Sequence, residues 1–308
     1  MFTDKYMDII GKKYFYFALS LIVIIPGLVS LFLFGLNPSI DFTGGTRITV
    51  SLPKQANQES VNVVKNILEK EKLKVSNTEV SNNLIFVRTQ TMDQKQDAKF
   101  LSDLSSQLKG AKQEQFETIG PTIGAETTIN AIEAVAVASL FIVLYITWSF
   151  RKVPKPASSL RFGICAIIAL IHDVLVVIGI FAILGHFFGV EIDSLFVTAL
   201  LTVIGFSVHD TIVVFDRIRE NMKRVSGPSF SQIVNESILQ TLDRSLNTSL
   251  TVVLVLLALL LFGGESIKWF VVALLVGVIS GTYSSIFNAS PLLVLWQELS
   301  ERFKKVKK

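Results

Sequence analysis

The chain has 308 residues, of which 50% are hydrophobic, and its formal net charge is +4. This apolar content is unusual for a soluble domain of such length and typical of a membrane protein. The basic residues gather at the borders of apolar segments instead of on one folded face, which argues against nucleic-acid binding. The single cysteine, Cys165, lies inside an apolar segment. It is interpreted as a packing residue, and no disulfide or cysteine metal site can form within the chain.

Six apolar segments approach or exceed the roughly 18–20 residues that a helix needs to cross a bilayer. The first is too long for the core of a signal peptide, and no small-x-small cleavage site follows it, so we expect it to remain as a helix. The last is interrupted by Ser and Asn but is still long enough. The six segments lie at about Tyr14–Phe34, Ile132–Phe150, Phe162–Leu184, Leu195–Phe215, Leu246–Phe262 and Trp269–Trp296.

The distribution of Lys and Arg predicts the orientation of these segments by the positive-inside rule. Sixteen of these residues, apart from Arg244 just before the fifth segment, lie before the first segment, between the second and third, between the fourth and fifth, or after the sixth. The two short loops on the other side contain only Lys268. Both termini are therefore predicted to be cytoplasmic, and the long polar region after the first segment is predicted to lie outside.

That polar region, residues 37–126, is predicted to be an extracytoplasmic domain. Strand and helix patterns follow the order β-α-β-β-α-β, at Arg47–Leu52, Gln58–Lys72, Val75–Val80, Leu84–Thr89, Asp97–Leu108 and Gln113–Ile119. This order is that of the ferredoxin-like α+β fold. The region contains no His, no Cys and no clustered carboxylates. We therefore expect it to serve as a binding or scaffolding domain.

The chain thus has three predicted regions. Residues 1–36 form the cytoplasmic N-terminus and transmembrane helix 1, residues 37–126 form the ferredoxin-like domain, and residues 127–308 form helices 2–6 and a cytoplasmic tail. No second copy of this layout is present in the sequence. Such asymmetry suggests one half of a pseudo-symmetric bundle, with the other half on another chain.

Two glycine motifs flank the polar domain. In Asp41-Phe42-Thr43-Gly44-Gly45, the paired glycines allow a tight turn and close backbone approach, and the carboxylate can accept backbone N–H bonds. A phosphate cradle is disfavoured because no helix follows the glycines. The second motif, Gly120-Pro121-Thr122-Ile123-Gly124, marks the change from strand to helix. It is either a rigid connector or a hinge that couples domain motion to the helices.

Asp210 lies inside the fourth apolar segment, near its end. An ionisable group at membrane depth is expensive, and its default interpretation is a proton or ion pathway. The alternative is a structural hydrogen bond between helices. The expected partner is Arg244, at the start of the fifth segment, since the two residues lie at similar depths. Arg244 is otherwise a snorkelling anchor at the end of its helix.

Other polar groups accompany this pair. His172-Asp173 lies midway along the third segment, where Asp173 pairs with a cation, supports Asp210 or makes a polar interhelical contact. Two polar stripes suit close packing, a water-lined path or a hydrogen-bonded chain. One comprises Ser194, Thr198, Thr202, Gly205 and His209, and the other comprises Arg244, Asn247, Thr248 and Thr251. Gly277-x-x-x-Gly281 in the last segment is interpreted as a close-packing face.

Taken together, these residues resemble the SecF family of bacterial protein-export membrane subunits. The resemblance covers nearly the whole chain in order. Besides the two glycine motifs, it rests on Ile171-His172-Asp173, on Ile204-Gly205-Phe206-Ser207, on Asp210-Thr211-Ile212-Val213-Val214-Phe215-Asp216-Arg217-Ile218-Arg219-Glu220-Asn221, and on Gln240-Thr241-Leu242-x-Arg244-Ser245-x-Asn247-Thr248-Ser249.

The resemblance implies membership of the resistance–nodulation–division superfamily and half of its transmembrane bundle. It also implies SecD as the pseudo-symmetric partner, contacts with the Sec translocon channel and a membrane insertase, and unfolded exported polypeptides as substrates. Protons would drive late steps of export across the bacterial cytoplasmic membrane, after the step driven by the SecA ATPase. In that family the residues matching Asp210 and Arg244 are implicated in proton transport.

One position departs from the family pattern, which usually has Asn before the aspartate of the fourth helix. This chain has His209 there. Histidine titrates near neutral pH, so His209 is a candidate relay residue or a modulator of Asp210. The pH dependence of this chain is therefore not assumed to follow that of its relatives.

Two rival functions fit parts of the pattern. The first is a proton-coupled exporter of small lipophilic molecules, against which stand the small polar domain and the lack of a duplicated half. The second is a non-conducting assembly factor of the translocon, against which stands Asp210. An enzymatic function is not expected, because no nucleophile arrangement, metal cluster or cofactor loop is recognisable. No cofactor and no metal are expected either.

Overall fold

A computed structural model describes residues 7–151, 153–154, 158–224 and 227–306. Five basic residues that enter the charge comparison, Lys5, Lys152, Lys155, Lys307 and Lys308, lie outside these residues. The chain divides into two compact units. The helical unit comprises Met1–Leu36, Ala134–Val190 and Leu195–Lys308, and the α/β unit comprises Asn37–Glu133 and Glu191–Ser194. The α/β unit therefore extends beyond residue 126 and also includes a short segment distant in sequence.

The secondary structure follows a simple order. The α/β unit contains four strands, β1 (Gly45–Ser51), β2 (Val75–Ser81), β3 (Leu84–Thr89) and β4 (Lys112–Ile119). The helices in chain order are α1 (Lys13–Phe34), α2 (Ile40–Thr43), α3 (Gln58–Lys70), α4 (Gln94–Gln107), α5 (Pro121–Ser149), α6 (Ser159–Phe188), α7 (Ser194–Arg224), α8 (Phe230–Phe262), α9 (Lys268–Ser284) and α10 (Ser290–Val306). A π-helical turn, Ser285–Ala289, joins α9 to α10.

Six helical segments of the described chain are long and apolar enough to cross a membrane, which confirms the predicted number. They run over Ile10–Phe34, Pro121–Ser149, Ser159–Phe188, Ser194–Arg224, Phe230–Phe262 and Glu265–Phe303. Most of them are longer than the apolar stretches from which they were predicted. Hydropathy marks the part of a helix that suits lipid, whereas helical hydrogen bonding continues into polar sequence.

The largest extension beyond a predicted apolar segment is at the start of α8, and the end of α7 is extended as well. The charged residues after Phe215 continue α7 to Arg224, and α8 begins at Phe230, sixteen residues before the predicted apolar segment. A capping box formed by Ser229 and Gln232 begins α8. The polar extensions contact each other through Asn221, whose amide donates to the Ser237 hydroxyl at 2.8 Å.

Small residues and aromatic rings organise the packing inside the helical unit. Helices α1 and α6 approach most closely at Gly27 and Gly179, where a Cβ added to Gly27 would lie 2.7 Å from the Cα of Gly179. Phe150, Phe162 and Phe215 are fully buried and form a ring cluster with centroid separations of 4.9–5.8 Å. The glycine contact lets two backbones meet, as is common where membrane helices pack without a hydrophobic driving force.

The α/β unit has the predicted ferredoxin-like arrangement. Its four strands form one antiparallel sheet in the order β2-β3-β1-β4, with Thr46 opposite Thr89 and Gly45 opposite Ile119. The two helices α3 and α4 contribute to the core on one side of the sheet. Alternate strand residues reach that core, which includes Ile48, Val50, Val64, Ile67, Ile85, Val87 and Phe100.

We expect a fragment spanning about Gly45–Ile119 to fold in isolation, with mixed α/β circular dichroism and a cooperative melt. Phe100→Ala should then destabilise it by about 3–5 kcal/mol, because Phe100 is fully buried and its removal leaves a cavity. Leu101→Ala, at the adjacent partly exposed position, is the matched control and should have a much smaller effect. Chemical denaturation followed by circular dichroism measures both values. A random-coil spectrum without a cooperative transition would contradict the expectation.

Candidate functional site

Asp173 lies at the centre of a hydrogen-bond network inside the helical unit. Its side chain, on α6, is fully buried. Three serine hydroxyls donate to its carboxylate: Ser207 Oγ of α7 at 2.5 Å, Ser284 Oγ of α9 at 2.6 Å and Ser280 Oγ of α9 at 2.7 Å. The carboxylate therefore connects three helices and is well supplied with donors, as a buried charge requires.

The neighbouring His172 adds a titratable group to this network. Its Nδ1 lies 2.9 Å from Asp173 Oδ1, and its ring stacks on that of Tyr283 with centroids 6.4 Å apart. The second ring nitrogen, Nε2, is buried without a hydrogen-bond partner in the described part of the chain. His172 is only partly buried, and its imidazole is an ion-pair partner for the carboxylate only when protonated.

Asp210 is also buried but is much less well supplied with donors. Its side chain, on α7, is 2% exposed, and the Ser249 hydroxyl of α8 donates to it at a long 3.5 Å. Thr282 of α9 in turn donates to Ser249 at 2.6 Å. A hydroxyl can accept one hydrogen bond while donating another, so Thr282, Ser249 and Asp210 form a hydrogen-bonded series across α9, α8 and α7.

Helices α7 and α9 contribute to the surroundings of both carboxylates. Ser207, which binds Asp173, lies one turn before Asp210 on α7, and Ser280 and Ser284 flank Thr282 on α9. Close packing makes this possible, because a Cβ added to Gly281 would lie 3.2 Å from the Cα of Ser207. The Gly277-x-x-x-Gly281 face thus brings α9 onto α7 at the level of both aspartates.

Arg244 is not brought to Asp210. Both residues are described, yet none of the ion pairs in the described residues joins their side chains within the 4.0 Å limit. The reason is helical phase. Ser249, which contacts Asp210, lies five residues after Arg244 and therefore about 140° around α8. The direct ion pair predicted from the matching depths is absent, and Arg244 is exposed.

The two polar stripes predicted from the sequence both lie on the surface of this chain. All five residues of the first stripe are exposed on α7, including His209. All four residues of the second are exposed on α8, including Arg244. Each stripe lies on a helix apolar enough to cross a membrane. Polar and small residues at such depth are suited to contact another helix bundle or water rather than lipid.

Asp216 and Arg217 lie on the polar extension of α7 and make local contacts. Arg219 pairs with Asp216 at 2.5 Å, and Arg217 pairs with Glu220 at 2.7 Å. Arg217 Nε also donates to Gln240 of α8 at 2.6 Å. Arg217 therefore connects the extension of α7 to α8, whereas Asp216 pairs within its own helix.

The glycine motifs pack against each other within the α/β unit. Gly44 and Gly45 have φ of 72° and 129°, in the region that favours glycine. A Cβ added to Gly124 would lie 2.7 Å from Gly44 N and 2.9 Å from Phe42 O. Pro121 is the first residue of α5, where its missing N–H is harmless.

The carboxylate of Asp41 does not cap its own turn. It accepts a hydrogen bond from the backbone N–H of Ser194, the first residue of α7, at 2.9 Å. This contact was missed in the sequence because the two residues are 153 positions apart. The serines around Asp173 had a detectable signal, since Ser280 and Ser284 are four residues apart in an apolar segment. No group of three or more His, Cys, Asp or Glu suited to a metal occurs in the described residues.

The fold and the site define a class of protein. It is a multi-pass membrane protein with six apolar helices and one ferredoxin-like domain, and it carries two buried aspartates within its helical unit. The chain belongs to the SecD/SecF family of protein-export membrane proteins. The family described as protein export membrane protein SecD/SecF, C-terminal, matches residues 100–299, and the SecD/SecF GG motif matches residues 29–53.

Individual relatives agree with this assignment. The chain is 52% identical over 301 residues to the protein translocase subunit SecF of Thermobaculum terrenum, and the match covers 94% of each chain. It is 34% identical to the protein translocase subunit SecDF of Bacillus subtilis, covering 94% of this chain and 38% of that one. The crystal structure of SecDF from Thermus thermophilus, a translocon-associated membrane protein, superposes with a TM-score of 0.82 at 34% identity. That match covers 96% of this chain and 39% of the SecDF chain.

Proposed function

We propose that the chain is a SecF-type subunit of the Sec protein translocase, which acts with SecD and uses the proton-motive force to promote late steps of protein export. A role in Sec protein export follows from the SecF relatives that match nearly the full length. SecD as a partner is supported by the Bacillus and Thermus SecDF chains, of which this chain covers less than half. The remainder of those chains would supply the other half-bundle.

The exposed stripes on α7 and α8 provide the face for that half-bundle. They combine small residues such as Gly205, where an added Cβ would meet nothing within 4 Å, with the charged Arg244. A second bundle seated on this face would enclose Arg244 and His209 and remove them from lipid. The proton pathway would then be completed at the junction of the two chains.

The proposed proton coupling rests on the burial and hydrogen bonding of Asp210. It is buried in the helical unit, where the hydroxyls of Ser249 and Thr282 act on it and the hydrogen bond from Ser249 is long, at 3.5 Å. Asp173, by contrast, is held by three hydroxyls. We infer that Asp210 is the carboxylate that exchanges a proton, whereas Asp173 connects α6, α7 and α9 beside it. Arg244 would act by approaching Asp210 during the cycle, which requires rotation of α8 or a shift in its packing.

The proposed location is the cytoplasmic membrane of a bacterium, with both termini in the cytoplasm and the α/β unit outside. There the α/β unit would bind unfolded exported polypeptide, while the helical unit contacts the Sec channel and a membrane insertase. No enzymatic step is assigned to the chain.

This topology predicts the reactivity of single cysteines in a Cys165→Ala background. Lys95→Cys, exposed on α4, should react with a membrane-impermeant maleimide in intact spheroplasts. Lys223→Cys, exposed at the end of α7, should react only after lysis and serves as the matched control. Reaction of Lys95→Cys only after lysis would reverse the proposed orientation.

The function itself is tested by reconstitution with SecD and the Sec channel in proteoliposomes. An imposed proton gradient should speed completion of preprotein export, and a protonophore should abolish the gain. If the gradient instead drives a labelled amphiphile across the bilayer without affecting preprotein, the exporter alternative is favoured. If export improves equally with and without a gradient, the chain is a non-conducting assembly factor.

A further inference from the structure

The short segment Glu191–Ser194, which ends at the first residue of α7, belongs to the α/β unit. It forms a parallel bridge between Ile192 and Pro38. Ser39 N donates to Ile192 O at 2.8 Å, and Ile192 N donates to Asn37 O at 2.8 Å. The chain that enters α7 is therefore held by backbone hydrogen bonds to the chain that leaves α1.

A side chain extends this attachment into the helix itself. The Asp41 carboxylate accepts from Ser194 N, the first amide of α7. The first amides of a helix have no partner within the helix, and its N-terminus favours a negative charge. The Asp41 carboxylate supplies both an acceptor for the amide and a negative charge at the N-terminus of α7. Asp41 itself belongs to the glycine motif that packs against Gly124.

An ion pair also connects the segment Glu191–Ser194 to the sheet. Arg88 of β3 pairs with Glu191 at 3.0 Å, and the two side chains are only 15% and 18% exposed. Arg88 also donates to Pro38 O at 2.8 Å and to the Thr43 hydroxyl. Glu79 on β2 interacts electrostatically with Glu191. Burial, followed by the negative charge of Glu191, raises the pKa of the Glu79 carboxyl.

We propose that Asp41 is a coupling residue, which fixes the first turn of α7 to the α/β unit so that the two move together. The inference rests on the proposed function, because α7 also carries Asp210, sixteen residues or about 24 Å along the helix. When proton exchange at Asp210 shifts or turns α7, the Asp41 contact passes that movement to the α/β unit. Arg88 keeps the segment before α7 attached to the sheet during the movement.

The attachment is tested first by hydrogen exchange on the full chain with SecD in lipid nanodiscs. Asp41→Ala should speed exchange of the Ser194 amide roughly tenfold, as expected for loss of a charge-assisted hydrogen bond. Asp41→Asn keeps a neutral acceptor and should fall between wild type and Asp41→Ala. Unchanged exchange in Asp41→Ala would overturn the proposal, whatever the outcome of the transport assays.

The functional consequence is tested by comparing proton flux with gradient-dependent export in proteoliposomes. Asp41→Ala should keep most of the flux while lowering gradient-dependent export several-fold. Loss of folded protein would instead lower both in proportion. Failure of the proposed function is recognised separately, because Asp210→Asn would then leave flux and export unchanged.

A double-mutant cycle isolates the single hydrogen bond. Ser194→Pro removes the amide donor at a helix position that tolerates proline, and Ser194→Ala keeps the amide as the matched control. Ser194→Pro should reproduce the loss of coupling, and adding Asp41→Ala to it should cause no further loss. Additive losses in the double variant would show that Asp41 acts through another contact and would overturn the proposal.

Discussion

Asp210→Asn is expected to abolish gradient-dependent export while leaving membrane insertion and SecD binding intact. The substitution keeps the shape of the side chain and an acceptor for Ser249, but it removes the titration. Because the hydrogen bond from Ser249 is long and asparagine can still accept it, little stabilisation is lost. In reconstituted vesicles with SecD, proton flux should fall to the background of empty vesicles, and export should become indifferent to the gradient.

The matched control is Asp216→Asn, six residues further along α7, where the carboxylate is exposed and pairs with Arg219. It should keep full flux and full stimulation. Arg244→Met, which keeps an apolar stem and removes the charge, should lose stimulation as Asp210→Asn does. Full flux and full export in Asp210→Asn would eliminate the relay role and leave a structural bridge to α8 as its function.

Asp173→Ala is expected to cause a large loss of stability, whereas Asp210→Asn should change proton flux and export with little loss of stability. The substitution leaves the hydroxyls of Ser207, Ser280 and Ser284 without their acceptor, as well as His172 Nδ1. Hydrogen bonds between membrane helices contribute about 0.6 kcal/mol on average and up to roughly 1.7 kcal/mol each. The summed loss is on the order of 3 kcal/mol, and it should appear as a lower midpoint in thermal or denaturant unfolding in detergent.

Single serine variants calibrate this effect. Ser280→Ala removes one donor and should lower stability by a fraction of the Asp173→Ala value. Ser284→Ala should cost less, because that hydroxyl already lies 3.2 Å from the Gly281 carbonyl oxygen in its own helix. If Asp173→Ala leaves the unfolding midpoint unchanged but removes proton flux, Asp173 is a proton carrier rather than a support for the helices.

The sequence was sufficient for the parts of the fold that depend on local pattern. Alternation at Ile48 and Val50 predicted β1, and the helical spacing of Val61, Val64 and Ile67 predicted α3. The number of spanning helices followed from hydropathy. The start of α8 could not be predicted from hydropathy, because residues 230–245 mix polar and apolar side chains. They are held in a helix by the capping box, by core packing and by contacts with α7.

The candidate site was only partly predictable for a related reason. The depth of Asp210 and Arg244 could be read along each helix, but their angular positions depend on how α7 and α8 are rotated against each other. Ser249, one of the hydroxyls beside Asp210, was overlooked because serine is common in membrane helices. The Asp41 contact joins segments far apart in sequence, and no periodicity encodes such a pairing.

The π-helical turn at Ser285–Ala289 has a consequence for comparing this chain with its relatives. A π turn holds one more residue than the α-helical turn it replaces, which rotates everything after it by about 100°. Before it, Ser280 and Ser284 face Asp173; after it, Leu293 and Val294 are buried in the core. Residues after Ser285–Ala289 therefore face a different direction from the one that uninterrupted α-helical spacing would give them. A chimera in which the π turn was replaced by an ordinary α-helical turn would keep the hydropathy of the last span and present the wrong side of the helix to its neighbours.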